Sequence, residues 1–382
     1  MNNTTTMITR QRITTFGIPT AAAATITVAA LLSPWTGSKE TPPSPDIVED
    51  TSGHQIDLVF AVDTTGSMGG LIDSAKRTVW SIASHIRKTD DQANIRIGLV
   101  AYRDVGDDYV TKDFALTTDL DAVFAELSSY QAAGGGDVPE NVDAALDVTL
   151  HKMKWRAGAK KIVFVVGDAP PSSRGDVATF DVLAREAAAR KITINAIRAG
   201  HDVETQAAFQ QLASIGGGAY SSIQQDGGVQ QVATPYDAKM AELSAKIDST
   251  TIIVGDDGVR ARYEAKMAAA EGASAPAKAD RAGYFAAKGA GGRASEDLVN
   301  GVATGAMSID AVAPSALPAD MQAMDKGQLE REVAKRAQVR EEAQAELGQL
   351  AKQRDEYLDA NKPGAGDAFD TKVKEAIEAQ IK

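Results

Sequence analysis

Cysteine is absent from this 382-residue chain, and histidine is scarce. Without cysteine there can be no disulfides, no thiol catalysis, no zinc–thiolate site and no lipoprotein acylation. The four histidines are scattered along the sequence, and no pair of them has the HExxH spacing of a zinc hydrolase. A metal site in this protein would therefore have to use oxygen ligands.

Positive charge is also in short supply. The chain carries 40 lysine and arginine residues against 52 aspartate and glutamate residues, for a net charge of −12 and an isoelectric point near 4.9. No basic patch offsets this balance, so the sequence argues against nucleic acid as a partner. Hydrophobic residues make up 43% of the chain, which is enough for a normal core.

Several enzyme motifs are missing too. No GxSxG nucleophile elbow or Walker loop occurs, and residues 134–136, all glycine, lack the lysine of a phosphate-cradling loop. A phosphatase that used Asp63 as its nucleophile would need a second aspartate two positions later as general acid, and Thr65 stands there instead. We therefore expect that the protein is not an enzyme.

The most informative segment that is present covers residues 57–68, with the sequence DLVFAVDTTGSM. Its apolar part is typical of a buried parallel strand. Asp63, Thr65 and Ser67 then fall at the carboxyl end of that strand, where open α/β sheets bind ligands. One carboxylate and two hydroxyls suit Mg²⁺, or Mn²⁺ or Ca²⁺ in its place, because these cations prefer oxygen ligands. Taken alone, the DxTxS motif is equally compatible with a helix N-cap.

Two further acid-bearing loops follow apolar strands. Residues 95–102 predict a second strand, and the later loop 134–140 (GGGDVPE) contains Asp137 and leads into a helix over 141–153. Residues 161–167 predict another buried strand, which is followed directly by Asp168. Three separate turns therefore carry acids toward one edge of the predicted sheet.

This order resembles the metal-ion-dependent adhesion site of von Willebrand factor type A domains. In that family loop one supplies DxSxS or DxTxS, loop two a threonine and loop three an aspartate. The resemblance implies that Asp63, Thr65 and Ser67 bind the cation from loop one and that Asp168 binds it from loop three. Asp137 stands where the family's archetype has threonine, although a bacterial and hemicentin-like branch of the family carries the same GGGDxPE motif.

The departure at Asp137 has a physical consequence. A third carboxylate near the ion would hold the cation more strongly but leave it less electrophilic toward an acidic group of a partner. Asp104, which follows the second strand, and Glu140 are predicted to brace the loops around these ligands.

The alternation of strands and helices predicts an α/β fold with a Rossmann-like, doubly wound and mostly parallel sheet, followed by a C-terminal helical extension. We divide the chain into a targeting segment with a proline-rich linker (1–50), a von Willebrand A domain (52–250), an alanine- and glycine-rich linker-like region (251–325) and a helical tail (326–382). Residues 265–320 in particular are expected to hold little fixed structure.

Residues 1–50 have the pattern of an export segment. Arg10 and Arg12 precede a charge-free run over residues 13–37, in the order typical of a signal peptide. Part of this run is also about long enough to cross a bilayer, so an uncleaved anchor is the alternative. We expect an exported bacterial protein whose domain is periplasmic, extracellular or anchored outside the membrane.

The tail is strongly helical. Residues 328–358 predict a long helix with an apolar stripe formed by Leu329, Val333, Ala343, Leu347, Leu350 and Tyr357. Such a stripe can form a dimeric coiled coil or pack on the protein's own domain. The second interpretation is favoured, because the stripe is interrupted by Arg336, Arg340 and Arg354. Residues 369–381 predict another short amphipathic helix.

These features lead to a functional hypothesis: divalent-cation-dependent binding of an unidentified protein partner, whose acidic side chain would complete the coordination of the ion. The alternative is a structural component of the cell envelope in which the ion only braces the loops. A third hypothesis, a subunit that works with an ATPase chaperone, requires a cytoplasmic protein and conflicts with the export segment.

Overall fold

The structure is a computed structural model that describes residues 53–136, 138–289, 294–361 and 366–381. The predicted export segment or anchor (1–50) and the predicted site residue Asp137 lie outside these ranges. None of the helices within them combines the length and hydrophobicity needed to span a bilayer.

Six strands form one sheet. In chain order, β1 to β6 are His54–Asp63, Ala93–Tyr102, Thr111–Thr117, Lys160–Gly167, Ile192–Ala199 and Gly217–Ile223. Their order across the sheet is β3-β2-β1-β4-β5-β6, and only β3, at one edge, is antiparallel to its neighbour. This arrangement confirms the predicted doubly wound, mostly parallel sheet. The strand order reverses between β1 and β4, and a ligand crevice is expected at the carboxyl ends of two such strands.

Both faces of the sheet are covered, which explains why β1 is apolar along almost its whole length. Leu58, Phe60 and Val62 belong to the core on one face, whereas Val59 and Ala61 belong to the core on the other. Successive side chains of a strand point to opposite faces, so a strand buried on both sides needs a continuous apolar run.

Helices flank the sheet on both sides. In chain order, α1 to α11 are Gly69–Thr89, Leu120–Ser129, Val142–His151, Phe180–Ala189, Val203–Ile215, Asp237–Ser249, Asp257–Glu271, Ala275–Lys288, Leu298–Thr304, Lys326–Ala360 and Phe369–Ile381. Helices α1, α2 and α11 contribute to the core on one face and α3, α4 and α5 to the core on the other. Helix α4 has no counterpart among the predicted helices.

The expectation that residues 265–320 hold little fixed structure is wrong for the described part of that stretch. Helices α8 and α9 lie within it, and Ala279 and Ala282 of α8 pack with Met240 and Ile247 of α6. Alanine composition was misleading here, because small side chains at helical spacing allow two helices to approach closely. The region forms a packed layer on the domain.

Helix α10 packs along one face on the same chain, as the favoured interpretation predicted. Leu329, Val333, Ala343 and Leu347 of the predicted stripe are buried, and they contact the cores around α6, α8 and α9. Two of the arginines that interrupt the stripe are buried as well. Each pairs with a carboxylate on another part of the chain: Arg340 with Asp297, and Arg354 with Asp237 and Asp280.

Helix α11 agrees with its predicted bounds and completes the core of the domain that begins with β1. Phe369, Val373 and Ile377 are buried beside α1. The ring of Phe369 lies 6.4 Å from that of Phe60, and the Phe369 N–H donates to the carbonyl of Gly227 at 2.8 Å. The end of the chain is therefore part of the folded unit.

Candidate metal centre

Asp63 is the last residue of β1, and its side chain is fully buried. Its Oδ1 accepts hydrogen bonds from the backbone N–H of Thr65 at 2.8 Å and from the Thr65 hydroxyl at 2.7 Å. Thr65 is extended and precedes a 3-10 turn over Gly66–Met68, but its side chain makes no cap hydrogen bond to that turn. Because the hydroxyl is turned toward Asp63, this loop does not use its DxTxS motif as a helix cap.

The other carboxylate oxygen, Asp63 Oδ2, is buried and has no hydrogen-bond partner among the described residues. Burial raises the pKa of Asp63 to about 7 even though the Thr65 hydrogen bonds lower it, and the neighbouring carboxyl group of Asp168 adds to the rise. The two carboxyl groups therefore lie next to each other. A buried carboxylate without a counter-charge is costly, and a bound cation would relieve that cost.

Asp168 directly follows β4 and is half-buried. Thr205 Oγ1 donates to its backbone carbonyl at 3.2 Å. Gln225 Nε2 donates to Asp168 Oδ2 at 2.6 Å and also to the carbonyl of Ser67 at 3.3 Å. One amide, two residues beyond the end of β6, thus ties loop one to loop three.

Gln225 was not among the predicted site residues. Its only signal in the sequence is its place just after residues 216–223, which predict the final strand, at the edge of the sheet where β1 and β4 bring the acids. A glutamine in a polar turn carries no pattern that distinguishes this role from ordinary solvent exposure.

Ser67 completes the set of oxygen groups on loop one. Its side chain is exposed, and its Oγ lies 3.5 Å from Thr65 Oγ1. The structure therefore brings four of the predicted ligands, Asp63, Thr65, Ser67 and Asp168, to the same edge of the sheet. The fifth, Asp137, lies outside the described residues.

Asp104 is buried in the loop after β2. Its Oδ2 accepts a hydrogen bond from Arg174 Nη1, and the carbonyl of Arg174 accepts one from Asn141 Nδ2 at 3.0 Å. The other carboxylate oxygen of Asp104, Oδ1, is buried without a hydrogen-bond partner among the described residues. Asp104 thus connects the loop after β2 to the loop after β4.

Glu140 connects two loops through its backbone. Its N–H donates to the carbonyl of Pro170 at 2.9 Å, and its carbonyl accepts from the N–H of Ser172 at 2.8 Å. The buried carboxyl group faces the acids of the site. Its pKa is raised to about 9, first by burial and then by the negative charges of four carboxylates, those of Asp63, Asp104, Asp107 and Asp168.

Gly167 makes the close approach of β4 to Asp63 feasible. A Cβ atom at this position would lie 2.4 Å from the hydroxyl oxygen of Tyr102 and 3.4 Å from Asp63 Oδ2. The Tyr102 hydroxyl is itself held in place, because it donates to the carbonyl of Val166 at 3.1 Å. Any larger residue at 167 would have to displace one of these groups.

The residues present fit a hard divalent cation. Asp63 and Asp168 offer carboxylates and Thr65 and Ser67 offer hydroxyls, a set to which Mg²⁺ typically adds water. Within the described ranges, no three His, Cys, Asp or Glu side chains form a group able to hold a metal. The hydroxyls would therefore be needed as ligands, and the unpartnered Oδ2 of Asp63 is the atom that most requires the cation.

Comparison with known proteins gives a family match over part of the chain. Residues 57–234 match the family model described as "von Willebrand factor A domain". The chain is 32% identical over 129 residues to von Willebrand factor A domain-containing protein 7 of Rattus norvegicus, an alignment that covers 34% of this chain and 14% of that protein. It is 30% identical over 118 residues to the alpha-protein kinase vwkA of Dictyostelium discoideum, covering 30% of this chain and 18% of the kinase.

A third relative, an ariadne-like RING finger protein of Acanthamoeba polyphaga mimivirus, is 29% identical over 182 residues, which cover 43% of this chain and 18% of that protein. The chain thus spans no more than 18% of the length of these curated relatives. Von Willebrand A domains are generally protein-interaction modules.

Solved structures with a similar fold include BatB from Bacteroides thetaiotaomicron, with 15% identity, a TM-score of 0.33, and coverage of 44% of this chain and 90% of BatB. The von Willebrand A domain of SpRpn10 has 14% identity and a TM-score of 0.35 over 44% of this chain and 88% of that domain. Proximal thread matrix protein 1 from the mussel byssus, with a zinc-occupied MIDAS motif, has 14% identity and a TM-score of 0.34 over 46% of this chain and 43% of that protein.

Proposed function

We propose that the von Willebrand A domain of this protein binds a divalent cation, Mg²⁺ or in its place Mn²⁺ or Ca²⁺, and binds a protein partner through that cation. Asp63, Thr65, Ser67 and Asp168 hold the cation, with Asp137 as a further ligand. An acidic side chain of the partner completes the coordination. The bound cation supplies the positive charge that makes this possible.

The observation that carries the proposal is the buried, unpartnered Oδ2 of Asp63 beside the carboxyl group of Asp168. This oxygen is buried away from solvent, and no hydrogen-bond donor among the described residues reaches it. Such an arrangement is expensive unless a cation joins it. The hydroxyl of Thr65 is already oriented by its hydrogen bond to Asp63, so the loop needs little reorganisation to bind the ion.

Partner binding follows from the same charges. Without a cation, the carboxylates of Asp63 and Asp168 repel an acidic side chain that approaches this edge of the sheet. With the cation bound, one position facing solvent can accept an oxygen ligand from a partner. Affinity for an acidic partner should therefore depend on the divalent cation.

The proposal also assigns the domain to the outside of the membrane. This part rests on the sequence alone, on Arg10, Arg12 and the charge-free run over residues 13–37. We assign the site no catalytic role.

Calorimetric titration of the purified full chain with Mg²⁺ tests the cation site. We expect saturable binding that is lost in Asp63→Asn, because the substitution removes the central carboxylate but keeps the side chain's size. The matched control is Asp73→Asn on α1, where the side chain is 65% exposed, and it should bind Mg²⁺ like wild type. Equal Mg²⁺ binding by wild type and Asp63→Asn would contradict the proposal, as would no binding by either.

A further inference from the structure

Four lysines lie at the amino edge of the sheet, the edge opposite the candidate metal centre. Lys160 and Lys161 begin β4, Lys191 directly precedes β5, and Lys154 lies in the loop between α3 and β4. Lys154, Lys160 and Lys191 are exposed, and Lys161 is half-buried. We call these four residues the basic patch.

Pairing of β4 with β5 brings two separate basic segments together. Lys161 is opposite Ile192 in the register of these strands. Lys160 and Lys191, each one residue earlier, therefore lie at the start of neighbouring strands, which are about 5 Å apart in a sheet. No basic patch was expected from the sequence, because its lysines come from segments that only the fold brings together.

Lys154 joins the same group through a row of paired residues across the sheet. Its carbonyl accepts a hydrogen bond from Arg96 Nη2 at 2.9 Å. Arg96 is opposite Asp57 on β1, and Asp57 is opposite Lys161 on β4. The negative charge of Asp57 is met by both Arg96 and Arg156, so it does not offset the lysines beside it.

The charge of the basic patch is largely uncompensated. None of its four side chains forms an ion pair or a hydrogen bond with another described residue. Residues 148–167 and 187–201, which contain the patch, include no aspartate or glutamate. Glu186, just before the second of these segments, pairs with Arg190 at 3.0 Å. An exposed group of like charges attracts a surface of the opposite charge.

The chain enters the domain at the same edge. Strand β1, which begins at His54, runs parallel to β4, so its amino end lies at the edge that carries the basic patch. The segment predicted to be an export signal or anchor, residues 1–50, precedes that end. If the charge-free run over residues 13–37 stays in the membrane, residues 38–52 can reach roughly 50 Å at full extension. Such a short tether keeps lipid headgroups at a high effective concentration, so a few lysines are enough to bind them.

We propose that the basic patch binds the anionic headgroups of a phospholipid bilayer, so that the amino edge of the sheet rests on the membrane. Strand β4, with eight residues, places the carboxyl edge about 26 Å further away. The acids and the candidate metal centre at that edge then face away from the lipid. This inference takes residues 13–37 to act as an anchor, and it does not depend on the cation. A nucleic acid has no comparable tether to the patch.

Lysine footprinting of the purified full chain with vesicles, in buffer without divalent cations, tests the inference. One set of vesicles is phosphatidylcholine, and the other contains about 30% phosphatidylglycerol. Acetylation of each lysine is followed by mass spectrometry. We expect Lys154, Lys160 and Lys191 to react at least about threefold more slowly on the anionic vesicles. Lys112, which is exposed and pairs with Ala101 near the carboxyl edge, should react equally on both. High salt should remove the difference, because it screens the charges.

Protein variants sharpen the same test. In the double variant Lys160→Gln, Lys191→Gln, the protection of Lys154 on anionic vesicles should fall to the level seen on phosphatidylcholine, because the patch loses half of its lysines. The matched control is Lys112→Gln, Lys335→Gln, which removes the same charge from exposed positions outside the patch. It should leave Lys154 protected as in wild type. All four substituted side chains are exposed, so these changes should not impair folding.

Equal acetylation of the patch lysines on both kinds of vesicle would overturn the inference, and so would an equal loss of protection in the two double variants. Glycerol phosphate and duplex DNA, at the same phosphate concentration as the anionic vesicles, are the soluble comparisons. If either protects the lysines as well as the vesicles do, the patch binds free phosphate or nucleic acid and the membrane proposal is wrong. Mg²⁺ calorimetry on the same preparations reports on the cation site separately, so failure of one proposal is distinguishable from failure of the other.

Discussion

Asp57 and Asp63 lie near opposite ends of the same strand, and both are fully buried. Arg96 donates to the two carboxylate oxygens of Asp57 at 3.0 and 2.8 Å, and Arg156 adds donors at 2.9 Å from both its backbone and its side chain. Asp63 has only the donors of Thr65, and its Oδ2 has no partner among the described residues. Arginines supply a counter-charge to Asp57 at the amino end of β1, whereas no arginine or lysine of the described residues forms an ion pair with Asp63 at the carboxyl end.

The C-terminal helices repeat the arrangement around Asp57. Arg281 pairs with Asp121 and Asp248, and Arg354 pairs with Asp237 and Asp280. At Asp57, Asp121 and Asp237, which are buried and lie away from the candidate site, arginines supply the counter-charge. The difference at the carboxyl edge therefore supports a role for Asp63 that depends on a cation from solution.

Removing the acid at the structural end of β1 should have the largest effect. Asp57→Asn removes the counter-charge of the buried Arg156 and of the partly buried Arg96, and we expect the free energy of unfolding to fall by about 3–5 kcal/mol. Urea denaturation measures this loss. The exposed control Asp73→Asn should change stability by less than about 0.5 kcal/mol. A loss under about 1 kcal/mol in Asp57→Asn would show that the arginines do not need this partner.

The same reasoning applies to the tail. Arg354→Met removes the guanidinium that pairs with both Asp237 and Asp280, and we expect the free energy of unfolding to fall by about 3 kcal/mol. Arg331→Met, at an exposed position of the same helix, should be nearly neutral by comparison. Urea denaturation of both variants, with limited proteolysis to detect release of α10, provides the measurement. Equal stability of the two variants would mean that the buried ion pairs do not hold the tail in place.

At the carboxyl end of β1, replacing the buried aspartate should raise stability instead of lowering it. In the absence of divalent cations, Asp63→Asn should be more stable than wild type by about 1 kcal/mol, because it removes a buried carboxylate without a counter-charge. In Mg²⁺ at one hundred times its dissociation constant, wild type should gain about 2.7 kcal/mol and the variant nothing. Thermal unfolding with and without Mg²⁺ measures both differences. An equal gain in both proteins would place the cation elsewhere.

The close approach of Gly167 on β4 to the Tyr102 hydroxyl of β2 can be tested by adding one methyl group. Gly167→Ala should cost about 2 kcal/mol, because its Cβ would meet the Tyr102 hydroxyl oxygen at 2.4 Å. Combining it with Tyr102→Phe removes that oxygen, so the double variant should recover part of the loss measured by urea denaturation. Strict additivity of the two substitutions would indicate that the groups do not clash.

The exposed contacts of His151 with Asp147 and Glu186 should contribute least to the free energy of unfolding, in contrast to the buried ion pairs. His151 Nδ1 and Nε2 lie 2.9 Å from Asp147 and 3.0 Å from Glu186. Partial burial lowers the pKa of His151, but the hydrogen bonds and charges of Asp147 and Glu186 outweigh it and raise the pKa above its usual value.

Because the pKa of His151 is raised in the folded state, its contacts with Asp147 and Glu186 stabilise the protein below the unfolded-state pKa of His151, about 6.5. This contribution is lost as pH rises through the folded-state pKa. Because the histidine side chain is 45% exposed, we expect less than about 0.5 kcal/mol. Urea denaturation across pH 5 to about 9, with His151→Gln as the comparison, measures it. Relative stability that increases with pH would contradict this sign.

Much of the fold and part of the site could be predicted because the relevant signals are local. Strands β1, β2, β4 and β5 are largely apolar runs, and the four ligands Asp63, Thr65, Ser67 and Asp168 lie at or just after the ends of β1 and β4, so a parallel sheet brings them to one edge. The roles of Asp137 and the division of residues 52–382 into separate regions remain predictions. The alanine-rich helices were missed because composition alone does not distinguish a flexible linker from a closely packed helix pair.

The sequence by itself determined that acids follow the apolar strands, that the chain has a net negative charge and that the candidate site offers oxygen ligands. These features depend on residue type and on the order of residues within single segments. Only the tertiary structure decided which buried acids receive an arginine, that Gln225 joins loop one to loop three, and that the last helix completes the core. Those outcomes depend on contacts between residues far apart in the chain, such as Asp57 and Arg156 at a separation of 99 positions. Such pairings depend on how the helices and the sheet pack together, and local sequence patterns do not predict them.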